Sequence, residues 1–70
     1  MIDHEYPKIS LAAARVNKGL TLRESAKFLG ITPQTLSSYE NGKTSPTYPI
    51  AKQMSDLYEF PLDYLRISNG

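Results

Sequence analysis

Leu22-Arg23-Glu24-Ser25-Ala26-Lys27-Phe28-Leu29-Gly30-Ile31-Thr32-Pro33-Gln34-Thr35-Leu36-Ser37-Ser38-Tyr39-Glu40-Asn41 is the stretch that decides the fold. It holds two helix-length segments joined by Gly30-Ile31-Thr32. Thr21 and Glu24 form a capping box at its start: the Thr21 hydroxyl can accept from the Glu24 N–H while the Glu24 carboxylate reaches back to the Thr21 N–H. The helix that follows, Leu22 to Leu29, carries Leu22, Ala26 and Leu29 on one face and ends at Gly30. Thr32 then serves as N-cap and Pro33 as the first helical residue. That second helix runs through Leu36 and Tyr39 and is closed by Asn41-Gly42. Two helices meeting at roughly 90–120° need a small residue where they touch and a corner residue that tolerates positive φ. Ala26 and Gly30 meet those needs. Ile31 and Leu36 bury the inner side of the second helix, which leaves Pro33, Gln34, Ser37, Ser38 and Asn41 facing outward.

Helical signals continue on both sides. Upstream, Pro7 suits a first helical position, and Lys8 to Lys18 has no breaker before Gly19, which fits the residue after a helix end. Two faces of this helix compete for the core: Ile9, Ala12, Ala13 and Val16, or Leu11, Ala14 and Arg15 with Leu20 beyond. Periodicity alone does not choose between them. Downstream, Lys43-Thr44-Ser45-Pro46 reads as loop. A helix from about Tyr48 to Tyr58 follows, with Ile50, Ala51, Met54, Leu57 and Tyr58 in one broad stripe. Phe60-Pro61 breaks it, and Pro61 opens a last short helix carrying Leu62, Leu65 and Ile67. No alternating strand pattern competes, and there is no internal repeat. The expectation is one all-α domain of five short helices over residues 8–67, with the two-helix motif at about 22–41, an N-terminal tail over 1–7 and a C-terminal tail over 68–70.

With 70 residues, a single small domain with a thin core is all the chain can build. It has no cysteine and one histidine, which excludes a disulfide framework, a zinc finger and a thiol nucleophile. His4 stands between Asp3 and Glu5, but three successive residues on a tail cannot converge on a metal, so no metal or cofactor is expected. No apolar run approaches the ~20 residues that span a bilayer, and the acidic start lacks the apolar core of a signal peptide. A cytoplasmic protein is expected. No Ser/His/Asp set, phosphate-cradling Gly-rich loop or carboxylate pair has the spacing catalysis needs, so the chain does not read as an enzyme. The formal net charge of +1 hides an asymmetry: residues 8–52 carry +5 and the remainder −4. A basic side that meets phosphate, with an acidic end turned away, accounts for that split, as does ordinary solvated surface.

The outward face of the second motif helix is polar, uncharged before Glu40 and rich in donors and acceptors. Gln pairs bidentately with adenine N6 and N7, and Ser bonds to several base edges. Further residues carry a resemblance. These are Arg15-Val16-Asn17-Lys18-Gly19-Leu20-Thr21, Glu24 to Thr32, Thr35-Leu36-Ser37-Ser38-Tyr39-Glu40-Asn41-Gly42-Lys43, Pro46 and Leu62-Asp63-Tyr64-Leu65. Together they resemble the Cro-type (XRE-like) helix-turn-helix family, which includes the lambda and 434 phage repressors and many bacterial regulators. The resemblance covers about Lys8 to Ile67, and several independent spacings agree.

It implies a compact, lambda-repressor-like DNA-binding domain and a sequence-specific regulator of phage or bacterial origin. Such a regulator represses by occluding an operator, with helix 33–40 in the major groove. Pro33, Gln34, Ser37 and Ser38 match positions at or beside base-reading residues. Thr35, Asn41 and Lys43 match backbone-contacting ones. Arg15 and Glu40 match a pair that forms an internal salt bridge. The family often has Gln where this chain has Leu22, so that phosphate contact passes to Thr21 or Arg23 or is absent. Ser25 stands where the family is usually apolar, and Pro33 offers no donor, which leaves more of recognition to shape and backbone. Five phosphate contacts imply a log–log salt slope near −4.5. The expected partners are a double-stranded DNA operator and a second copy of the chain. Tyr48, Tyr58, Phe60 and Tyr64 read as packing or as a dimer face, and Phe28 as a further contact. The rival reading is an antirepressor or modulator on the same fold that docks to another repressor protein.

Overall fold

The computed structural model describes residues 8–67. Ser10 stops the chain from remaining extended: its hydroxyl accepts the Ala13 N–H at 3.0 Å and opens α1 (Leu11–Asn17). Thr21, Thr32 and Thr47 do the same for α2 (Leu22–Leu29), α3 (Pro33–Glu40) and α4 (Tyr48–Tyr58). Each hydroxyl accepts one of the N–H groups that a helix start leaves without a partner. Both halves of the Thr21–Glu24 capping box are formed, at 2.9 and 3.0 Å. At the far end of α2, Gly30 takes φ 73°, and the Ile31 N–H bonds the Ala26 carbonyl at 3.0 Å, so the corner is closed by backbone bonds. A Cβ added at Gly30 would meet nothing within 4 Å. Glycine is therefore required by the backbone angle and not by crowding.

The core lies where the four helices meet. Leu11 and Ala14 of α1, Ala26 and Leu29 of α2, Leu36 of α3, Met54 and Tyr58 of α4, and Leu65 are buried together. Of the two faces open to α1, the one with Leu11 and Ala14 turns inward, while Val16 is exposed. Arg15 goes with it, half-buried, and its aliphatic stem follows the same side.

Both ends of the domain depart from the sequence reading. The first helix starts at Leu11 and not at Lys8, because Ile9–Ser10 is extended as β1 and pairs in parallel with β2 (Leu65–Arg66), Ile9 beside Leu65 and Ser10 beside Arg66. The helix start inferred from Pro7, the two tails and the His4 neighbourhood lie outside the described residues. The fifth helix is likewise replaced. Pro61 is extended at ψ 137°, a single 3-10 turn covers Leu62–Tyr64, and Leu65 continues into the strand. Among the described residues the architecture is all-α in its core, with four helices rather than five. Strands of two residues are too short to show alternation, and a partner 56 positions away leaves no local trace.

Candidate nucleic-acid interface

α3 is held from three sides. Leu36, fully buried, fixes its inner side against α2. Its N-terminus follows the Gly30 corner after only two residues. Its C-terminus is clamped to α1: Arg15 Nε donates to Glu40 Oε2 at 2.7 Å and Nη2 donates to Oε1 at 3.3 Å. Arg15 Nη1 also donates to the Leu20 carbonyl at 2.9 Å, so the guanidinium joins the end of α3 to the turn before α2. The two side chains keep 15% and 9% of their surface. The Glu40 hydrogen bond raises the Arg15 pKa further above its ordinary value, with burial opposing it. Arg15 is thereby engaged inside the domain and is not presented outward as a phosphate ligand.

The opposite side of α3 is open. Gln34 and Asn41 are exposed, and Pro33, Thr35, Ser37 and Ser38 are partly so. Gln34, Ser37 or Ser38, and Asn41 recur at helical spacing, which sets them on one face. Local hydrogen bonds orient several of them. The Thr32 hydroxyl donates to the Thr35 hydroxyl at 2.9 Å, which leaves the Thr35 proton free to point outward. The Asn41 amide donates to the Ser37 hydroxyl at 3.3 Å, leaving the Ser37 proton available in the same way. The Lys43 N–H bonds the Ser38 carbonyl at 3.0 Å, and this folds the loop back so that the exposed Lys43 sits at the end of α3. At the start of α2, Thr21 and Arg23 are both exposed, and Leu22 is half-buried against the core.

The basic side is less basic than the sequence alone implies. Lys18 pairs with Glu59 at 2.7 Å and Lys52 with Asp56 at 3.8 Å, while Arg15 is consumed by Glu40. Among the described residues, Arg23 and Lys43 are the exposed cations beside the outward face of α3 that have no such pairing.

One polar contact escaped the sequence reading. Ser25, where an apolar residue is usual, is fully buried, and its hydroxyl meets that of Tyr58 at 2.5 Å. The only signal in the sequence is a serine on the Ala26–Leu29 side of α2 together with a tyrosine on the inner stripe of α4. Neither specifies the other. Among the described residues no buried side-chain nitrogen or oxygen lacks a partner, no three His, Asp or Glu gather as metal ligands would, and no helix is long and apolar enough to cross a membrane.

Comparison with known families finds a match over residues 11–65 to the family model described as helix-turn-helix. Comparison with curated proteins and with solved structures found no match.

Proposed function

The chain belongs to the Cro/XRE-type helix-turn-helix family of DNA-binding transcription regulators, and from that premise we propose that it is a phage or bacterial repressor that occludes an operator. In this reading α3 lies in the major groove of double-stranded DNA. Gln34 reads a base edge in the first turn, Ser38 reads one turn further on, and Pro33 and Ser37 supply neighbouring contacts. Thr21, Arg23, Thr35, Asn41 and Lys43 hold the phosphates on either side. The observation that carries the proposal is the open, uncharged, donor-rich face of α3, rigidly backed by Leu36 and by the Arg15–Glu40 clamp. One such helix spans few base pairs, so useful affinity calls for two copies on half-sites about 34–36 Å apart.

The test is a titration of the chain against duplexes selected from a random pool, at low and moderate salt. Enrichment of one sequence, with binding that weakens as salt rises, is the expected result. Flat and negligible binding at low salt overturns it, and then favours the rival in which the same face docks to another repressor protein.

A further inference from the structure

The last turn of α2 and the middle of α4 leave an open groove of about 460 Å³ between them. Leu29 and Leu57 line it with apolar surface, and Gly30 lines it without a side chain to fill it. Phe28 also lines it, yet 70% of that residue is exposed, the most of any large apolar residue described. Isolated apolar residues on a surface need no explanation. An aromatic ring beside a groove of matching chemistry is a different case: a projection and a recess stand side by side on one molecule.

The charges show what fits. Lys27 stands on the α2 wall and Asp56 on the α4 wall of the same groove. A peptide ligand of one charge would be met by one sign. A two-fold axis through the groove instead exchanges the walls, so that Lys27 of each copy faces Asp56 of the other, and each Phe28 enters the opposite recess. Asp56 is restrained only by a surface contact of 3.8 Å to Lys52, both side chains mostly exposed. None of the α3 side chains assigned to base contact lines the groove, so a pair formed here keeps that face open.

We propose that two copies of this chain associate through the α2–α4 groove, ring into recess, with reciprocal Lys27–Asp56 pairs. The inference rests on the reading of the regulator as a pair and names the surface that makes it. The experiment is analytical ultracentrifugation of the whole chain without DNA, with circular dichroism to verify that each variant is folded. The wild type self-associates, and Phe28→Ala raises the dissociation constant about tenfold or more. Lys27→Glu and Asp56→Lys each shift the protein toward monomer when alone. An equimolar mixture of these two single variants associates again, because every cross-pair in the mixed dimer is then of opposite sign.

A monomeric wild type at its highest soluble concentration overturns the inference. So does a mixture that stays monomeric. A dimer indifferent to all three substitutions places the contact elsewhere, which overturns the groove but leaves the paired reading standing. Association as expected, combined with no duplex binding, supports the groove and removes only the DNA reading.

Discussion

The hydroxyls of Ser25 and Tyr58 meet at 2.5 Å inside the domain, joining α2 to α4 across 33 positions of sequence. Each side chain is almost wholly buried, so each is the other's replacement for water. Arg15 and Glu40 form a second long-range polar link, mostly enclosed, between α1 and α3. At the surface, Lys18 and Glu59 add a third between the ends of α1 and α4.

Removing one hydroxyl of the buried pair strands the other. Ser25→Ala and Tyr58→Phe should each destabilise the fold by about 1–3 kcal/mol in urea unfolding. The double variant should lose clearly less than the sum, because neither hydroxyl is then left unpaired. Strict additivity would show that the two hydroxyls do not interact.

Burial pushes the Tyr58 phenol above its ordinary pKa of 10.0, with the Ser25 hydrogen bond opposing. The folded state therefore holds that proton more tightly than the unfolded chain does. Its contribution to stability is intact below pH 10 and declines as the pH rises beyond it through the folded value. Unfolding free energies measured from pH 8 to pH 11 should fall at the alkaline end, and Tyr58→Phe should flatten that part of the curve.

Arg15→Ala leaves Glu40 without its partner and the Leu20 carbonyl without its donor. A cost of about 2–4 kcal/mol is expected, less than for a fully enclosed pair because some solvent reaches the site. Arg15→Lys should recover only part of it, since an ammonium cannot reproduce the two-pronged contact or span to the carbonyl as well. Thermal unfolding of both variants checks this, and equal stability of Arg15→Lys and wild type would contradict the geometry.

Gln34→Ala should weaken binding to the preferred duplex by roughly 1–3 kcal/mol and binding to random DNA much less. Equal losses on both would remove Gln34 from base reading.

Salt dependence should be shallower than five phosphate contacts per chain suggest. Thr21, Thr35 and Asn41 carry no charge and release no counterions. With Arg23 and Lys43 as the free cations, two copies on a full operator should give a log–log slope near about −3.6. Lys43→Ala should lower its magnitude by about 1 for each copy while weakening all sequences alike. A slope as steep as about −4.5 per chain would need roughly three more cations on the backbone, as if Lys18, Lys27 and Lys52 all reached it.

What the sequence determined by itself was written within a few residues. The Thr21–Glu24 box, the Gly30 corner, the Thr32-Pro33 start and the Tyr48–Tyr58 stripe each involve partners at most one or two turns apart, and the structure has those helices where the spacing puts them. The same local signals, taken together, carried the family. Tertiary structure alone decided which side of α1 turns inward, because Leu11 and Ile9 offer comparable stripes until α3 and α4 are present to receive one. It also decided the two ends, where β1 and β2 are strands only by virtue of each other. It found a partner for Ser25, engaged Arg15 with Glu40 inside the domain, and set Lys18 beside Glu59 at the surface. Each of these outcomes depends on atoms brought together from distant positions, and a linear pattern holds no record of a neighbour that only folding supplies.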